Sequence, residues 1–135
     1  LLGKGILLHP GREVVVFTTG GITANAIHAS IILEKQQVLA CIVDMHTIKP
    51  LDMGIIEWAC GSDTEVIITI EEHSKIGGLG SAVAEVLAGM KQHPPLVRLG
   101  TDDCYPDRAM SYEELLKANH LDVDGIVKEV LDALR

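Results

Sequence analysis

Three short stretches of the chain hold the side chains that could do chemistry. The first, Ile68 to Val86, reads ITIEEHSKIGGLGSAVAEV. A β-branched run ends in Glu71, Glu72 and His73, and the glycine cluster Gly77-Gly78-Leu79-Gly80 leads into an apolar helical pattern. Carboxylates beside an imidazole make a candidate acid–base set, because His titrates near neutrality. Adjacent residues of an extended chain point to opposite faces, so Glu71 and Glu72 need not cooperate, and a solvated loop or a polar subunit contact would use the same residues. The second group is Asp44, His46 and Lys49. Asp44 and His46 are two apart and share a face if the backbone is extended, where a hydrogen-bonded pair could equally organise a loop or an interface. The third is Thr18-Thr19-Gly20-Gly21, a turn at a helix N-terminus whose free N–H groups and dipole suit an anion such as phosphate. Both glycine turns would look the same if they only permitted tight strand-to-helix connections.

The stronger fingerprints are missing. Gly78-x-Gly80 needs a small residue at position 83 to read as a dinucleotide motif, and Val83 stands there. There is no Gly-Lys-Ser/Thr of a P-loop and no G-x-S-x-G nucleophile elbow. His9, His28, His93 and His120 are scattered, no H-E-x-x-H occurs, and Cys41, Cys60 and Cys104 form no C-x-x-C, so no metal site is expected.

Alternating strands and helices must position these groups. Gly5 to Leu8 is a weak edge strand, followed by a turn at His9-Pro10-Gly11-Arg12. Glu13 to Phe17, Val38 to Val43 and Glu65 to Ile70 are nearly all apolar, as strands buried on both faces are. Helices are expected from about Ile22 to Lys35, from a cap at Asp52 to about Cys60, and from Gly80 to Met90. Pro50 keeps Asp44 to Leu51 a loop, and Gly61-Ser62-Asp63 breaks the second helix. A short strand at Leu96 to Leu99 follows His93-Pro94-Pro95. Ser111 and Glu114 form a capping box for a short helix that Asn119 ends in a left-handed conformation, and Asp122 caps the last helix. Strands separated by helices imply crossover connections and a mostly parallel sheet, in a three-layer α/β/α architecture.

Composition sets the outer bounds. A chain of 135 residues is one domain, and at 47% apolar but only 3% aromatic it builds its core from Val, Ile, Leu and Ala. A formal charge of −8 argues against nucleic acid and against an anionic membrane surface as partners. No apolar run approaches the roughly 20 residues that span a bilayer. An odd, widely spaced set of cysteines and no visible signal peptide point to reduced thiols in the cytoplasm. The chain opens at Leu1 without an initiator Met, as expected of a piece excised from something longer.

With these residues on view, VDMHTIKPLD (Val43 to Asp52) followed by IEEHSKIGGLGSAV (Ile70 to Val83) resembles the C-terminal domain of transketolase. TGGITANAI (Thr19 to Ile27) fits the same family, whose threonine-glycine turn leads into its first long helix. The likeness runs from about Lys4 to the end, and the order and separation of the two long motifs agree. Deoxyxylulose-phosphate synthases and the β subunits of 2-oxoacid dehydrogenases share the domain, but the wording from Asp44 to Asp52 is nearer transketolase. Asp107-Arg108, where the family tends to have Ser-Gly, and Asn119-His120, in place of a common glycine, depart from it.

The resemblance implies a five-stranded mixed sheet whose first strand is antiparallel to the rest, and an enzyme that moves a two-carbon ketol unit between sugar phosphates. Such enzymes use thiamine diphosphate and Mg2+, and the cofactor carries the hard chemistry. The motifs that hold the diphosphate, the metal and the cofactor pyrimidine belong to other domains of the family and do not occur here. No catalytic residue, cofactor or metal is therefore expected in this chain. The implied role is assembly of a homodimer, or regulation, with the missing domains or a partner subunit as neighbours. Contacts to them are expected from Asp44, His46, Lys49, Asp52, Glu71, Glu72, His73, Gly77, Gly78 and Gly80, with Thr19, Gly20 and Gly21 as a possible anion-binding turn. The alternatives are the C-terminal domain of a deoxyxylulose-phosphate synthase or of a 2-oxoacid dehydrogenase β subunit, or a free-standing module that binds an anionic metabolite.

Overall fold

The computed structural model describes residues 1–61 and 63–135; Ser62, in the expected break after the second helix, lies outside the described residues. Five strands form one sheet: β1 (Ile6–His9), β2 (Val14–Thr19), β3 (Ala40–Asp44), β4 (Val66–Ser74) and β5 (Leu96–Thr101). Their order across the sheet is β1-β3-β2-β4-β5; β1 is antiparallel to β3 and the other pairs are parallel. The expected mixed sheet with an antiparallel first strand is thus present.

Helices α1 (Thr23–Lys35), α2 (Met53–Ala59), α3 (Leu79–Ala88), α4 (Tyr112–Ala118) and α5 (Val123–Ala133) cover both faces. The period-2 alternation of strands divides the core in two. Val14, Val16, Ile42, Ile68 and Ile70 pack on one face under Ala26, Ala29 and Leu33 of α1 and Ile126 and Val130 of α5. Val15, Phe17, Val43 and Ile67 pack on the other under Ile56 of α2 and Leu79, Val83 and Leu87 of α3. This is the three-layer arrangement, and it explains why these strands read as unbroken apolar runs.

The connection from β1 to β2 passes over the start of β3. A Cβ at Gly11 would lie 2.3 Å from the Cys41 backbone nitrogen and 2.4 Å from the Ala40 carbonyl carbon, so only glycine fits that crossing. Three local signals act as the sequence suggests: Asp52 accepts the Ile55 N–H, Ser111 and Glu114 form a reciprocal capping box, and Asp122 accepts the Gly125 N–H. One does not. Asn119 has φ −103°, and the left-handed residue is its neighbour His120, at φ 57°. Asn119 still carries helical hydrogen bonds to Leu115 and Leu116, which moves the reversal one residue on. A 3-10 turn at Gly20–Ile22 precedes α1.

Candidate functional site

The three candidate stretches lie on one edge of the sheet, at the C-terminal ends of the central parallel strands. Thr18 of β2 is in register with Asp44 of β3, and Thr19 with Glu71 of β4. The chain leaves β2 for α1 on one face and β4 for α3 on the other. Their shared end is therefore a topological switch point, the place where open α/β sheets usually bind ligands.

β4 does not stop at Ile70. It runs on to Ser74 because Glu71 pairs beside Thr19 and Ser74 beside Thr101, so the carboxylates and His73 belong to the strand rather than to a loop. Alternation then separates them. Glu71 is 1% exposed, and its carboxylate accepts the backbone N–H groups of Leu79 at 2.8 Å and Gly80 at 2.7 Å. The anion at this helix N-terminus is thus the protein's own, satisfying two donors that the first turn of α3 leaves open. The glycines make room for it. A Cβ at Gly78 would sit 1.8 Å from Glu71 Oε1, and one at Gly80 would sit 2.8 Å from Thr69 Oγ1. Gly77 takes φ 78°, a left-handed turn that glycine adopts without strain.

His73 shares the face of Glu71 but is 62% exposed at its side chain, with Nδ1 3.8 Å from Glu71 Oε1 and 2.7 Å from the Ser74 carbonyl oxygen. Glu72 points the other way. Its Oε2 stands 3.6 Å from where a Gly21 Cβ would be, and its Oε1 accepts the Tyr112 hydroxyl of α4. That contact raises the Tyr112 pKa, because the hydrogen bond and then the nearby charge favour the protonated phenol. Gly20 and Gly21 are exposed, so the first turn is open, but a carboxylate stands over it.

The second stretch does not form the pair suggested by its spacing. His46 Nδ1 meets Thr47 Oγ1 at 2.9 Å, and among the described residues no hydrogen bond joins it to Asp44. His46, Ile48 and Lys49 are exposed. Asp52 is buried and holds the N-terminal segment to α2. It accepts Gly5 N–H at 3.0 Å, the Lys4 ammonium at 3.2 Å and Ile55 N–H at 3.4 Å. The Gly5 bond, with Lys4 and Ile55 behind it, holds the Asp52 carboxyl below the usual Asp range against the opposing effect of burial.

Sequence reading missed Arg98, Asp102 and Tyr112, which brace this edge from distant parts of the chain. Arg98 donates to the Lys75 carbonyl at 3.0 Å, Lys75 forms an ion pair with Asp102, and Ser81 Oγ donates to the Lys75 carbonyl at 2.9 Å. No local pattern signals such partners. The braced loop leaves Ile76 67% exposed at its tip.

Residues 3–126 match the family described as transketolase, C-terminal domain. The chain belongs to the transketolase C-terminal domain family. It is 37% identical over 134 residues to a transketolase C-terminal section of Methanocaldococcus jannaschii, covering 99% of this chain and 41% of that one. It is 36% identical over 133 residues to a 1-deoxy-D-xylulose-5-phosphate synthase of Chlorobium luteolum, covering 98% of this chain and 21% of the synthase. Among solved structures, a split-gene transketolase described as an inactive beta4 tetramer matches with TM-score 0.88 and 36% identity, over 98% of this chain and 42% of that one. A Pichia stipitis transketolase shares the fold, with TM-score 0.66 at 17% identity, over 98% of this chain and 18% of that one. This transketolase C-terminal domain therefore spans about two-fifths of the transketolase section and one-fifth of the synthase.

The side chains of the domain do not fit the diphosphate-bound metal that the family resemblance implies for a full enzyme. Among the described residues no group of three or more His, Cys, Asp and Glu is placed to hold a metal ion. The two buried carboxylates at helix N-termini, Glu71 and Asp52, are each committed to backbone N–H groups of the chain.

Proposed function

We propose that this chain is a non-catalytic part of a transketolase-type transferase, positioning the rest of the enzyme through its C-terminal sheet edge. The full enzyme would transfer a two-carbon ketol unit between sugar phosphates, with thiamine diphosphate and Mg2+ held by domains outside this chain. The observation that carries the reading is the state of the motif edge itself. Apart from His73, whose ring stands 3.8 Å from Glu71, the ionisable residues do not converge: Glu71 is spent on α3, Glu72 on Tyr112, and Asp52 on Gly5 and Lys4. What that edge presents outward is Ile48 and Lys49 on one loop, His73 near the end of β4, and Ile76 on a second loop that hydrogen bonds to Ser74 and Ser81 hold from behind. A rigid loop with an exposed aliphatic tip is a contact surface rather than a reaction site.

The chain is also proposed to associate with copies of itself, as in the homodimer that the resemblance implies. The 36% identical solved relative is described as a tetramer of one kind of subunit. A second reading makes it part of a deoxyxylulose-phosphate synthase, supported by 36% identity to such an enzyme. The free-standing anion-binding module has less support, since Glu71 fills one glycine turn and Glu72 stands over the other.

The test is reconstitution. The purified chain is mixed with the cofactor-bearing section from the same genome, thiamine diphosphate and Mg2+, and assayed for ketol transfer between sugar phosphates and for deoxyxylulose phosphate formation. The chain alone is expected to be inactive and to give no saturable signal with thiamine diphosphate, and the mixture to be active. Cofactor binding or turnover by the chain alone would overturn the proposal, and the product formed separates the two enzyme readings.

A further inference from the structure

β1 is an edge strand, and its backbone groups facing away from β3 have no strand beside them. Its side chains are apolar on both faces: Ile6, Leu7 and Leu8 are 46%, 56% and 42% exposed. Natural edges are usually guarded by Lys, Pro or an inward charge, because an unguarded one pairs with other chains. From Gly5 to Leu8 there is no charge and no proline, and the edge is limited only by its four-residue length and a register shift between Leu7 and His9. His9 is turned inward, with Nδ1 3.1 Å from the Ala40 carbonyl oxygen and Nε2 3.9 Å from Glu34 of α1. The opposite edge is built differently. β5 carries Arg98, and a 290 Å³ hollow beside it is walled by Lys75, Asp102, His120 and Glu129. Of the two edge strands, β1 is the one that carries no Lys, Arg, Asp or Glu.

We propose that the free edge of β1 is the surface on which a second copy of this chain pairs; this rests on the self-association proposed above and names its site. Two identical strands related by a two-fold axis meet antiparallel, which is the sense in which β1 already meets β3. The contact would join two five-stranded sheets into one. Charge favours the same place. Each copy carries −8 formally, so two copies repel over most of their surface, and the uncharged β1 segment is where they can approach. Four strand residues bury little by themselves against the roughly 1,200–2,000 Å² of a stable interface. The patch continues onto α1, where Ile31 is exposed one turn before Glu34, on the side of the helix that reaches β1.

Light scattering on the eluting protein, over a hundredfold range of loading concentration, reads the assembly. Hydrogen exchange of the unmodified chain at the two extremes reads its site. The expected result is a dimer or larger even assembly, with amides of Ile6 to Leu8 slowing as concentration rises. Leu7→Lys is expected to weaken association at least about 100-fold, the effect of a charge left unpaired in an apolar contact. Tyr105→Lys, after the opposite edge strand, is expected to leave it unchanged. A monomer at every concentration overturns the self-association reading and this site with it. An assembly that survives Leu7→Lys, with β1 amides indifferent to concentration, overturns the site alone. Should Leu7→Lys fail to fold, the exchange data on the unmodified chain decide.

Discussion

Glu71 and Gly80 are joined across the turn between β4 and α3: one carboxylate oxygen accepts the Gly80 backbone N–H at 2.7 Å while the other accepts that of Leu79 at 2.8 Å. The end of the strand and the start of the helix are thereby one unit, and Gly78 lies flat against the carboxylate. Placing a carboxylate beside the positive end of a helix offsets the cost of taking it out of water.

Removing the carboxylate leaves buried donors without partners. Glu71→Ala is expected to cost about 2–4 kcal/mol in urea unfolding, from two unsatisfied N–H groups. Gly78→Ala is expected to cost nearly as much, because its Cβ would stand 1.8 Å from Glu71 Oε1 and push the carboxylate off the helix. The two losses come from one contact. In the double mutant the alanine at position 78 should add almost nothing, giving a coupling about as large as the Gly78→Ala loss itself, roughly 2–3 kcal/mol. Additive losses would mean that Gly78 is needed for some reason other than Glu71.

Asp52 makes stability depend on acid. Its pKa is lowered on folding, chiefly by the Gly5 N–H and then by Lys4 and Ile55. A carboxyl with a depressed folded-state pKa contributes fully above its unfolded value, about 3.9, and loses that contribution as pH falls through the folded value. Asp52→Asn should therefore be less stable by a constant amount above about pH 5. The gap from the unmodified chain should close as pH falls below about 3.9. Asn still caps a helix as well as Asp does, so the difference isolates the charge on Gly5 and Lys4. Urea midpoints of both proteins between about pH 2.5 and 7 read it; parallel curves would remove Asp52 from the acid response.

The three cysteines report which parts of the sheet open. Burial pushes the Cys41 thiol up to about 11, and the Cys60 thiol is raised by burial and then by Glu57, while Cys104 is exposed. With a pKa near 11, only roughly one Cys41 in a thousand is thiolate at pH 8, and it lies inside β3. A disulfide reagent at pH 8 should label Cys104 first and Cys60 more slowly. Cys41 should follow at least about 100-fold behind Cys104, or only on unfolding. Cys104→Ser should abolish the fast phase. Fast labelling that survives this change would show that β3 or the end of α2 opens readily.

Much of this architecture is written locally. The β-branched runs at Glu13 to Phe17 and Glu65 to Ile70, short and bounded by turn residues, read as strands buried on both faces, and Asp52, Ser111 and Asp122 mark helix starts by their own side chains. The part that could not be read is set by partners far away in sequence. A charged segment reads as a loop until Thr19 and Thr101 are found beside it, and that pairing is what carries β4 through Glu71 to Ser74. Period-2 alternation did warn that Glu71 and Glu72 face opposite ways. It could not say that one is buried on a helix and the other holds a tyrosine. The left-handed residue at His120 was missed because Asn is the commoner choice there.

Glu72 and Tyr112 tie α4 to the sheet edge, and that link can be read by titration. The chain has two tyrosines, so Tyr105→Phe leaves Tyr112 as the sole phenol. Its absorbance transition is expected above the ordinary tyrosine value of about 10, because the protonated hydroxyl donates to Glu72 and the phenolate would face that carboxylate. Glu72→Gln keeps an acceptor but removes the charge, and should bring the midpoint down. Tyr112 is in the first turn of a seven-residue helix with no buried residue of its own, so Tyr112→Phe should also speed hydrogen exchange across Tyr112–Ala118. A midpoint unmoved by Glu72→Gln would mean that the contact does not persist in solution. Glu72 would then be free at the switch point, and assembly tests on its variants would report the edge alone rather than the edge and α4 together.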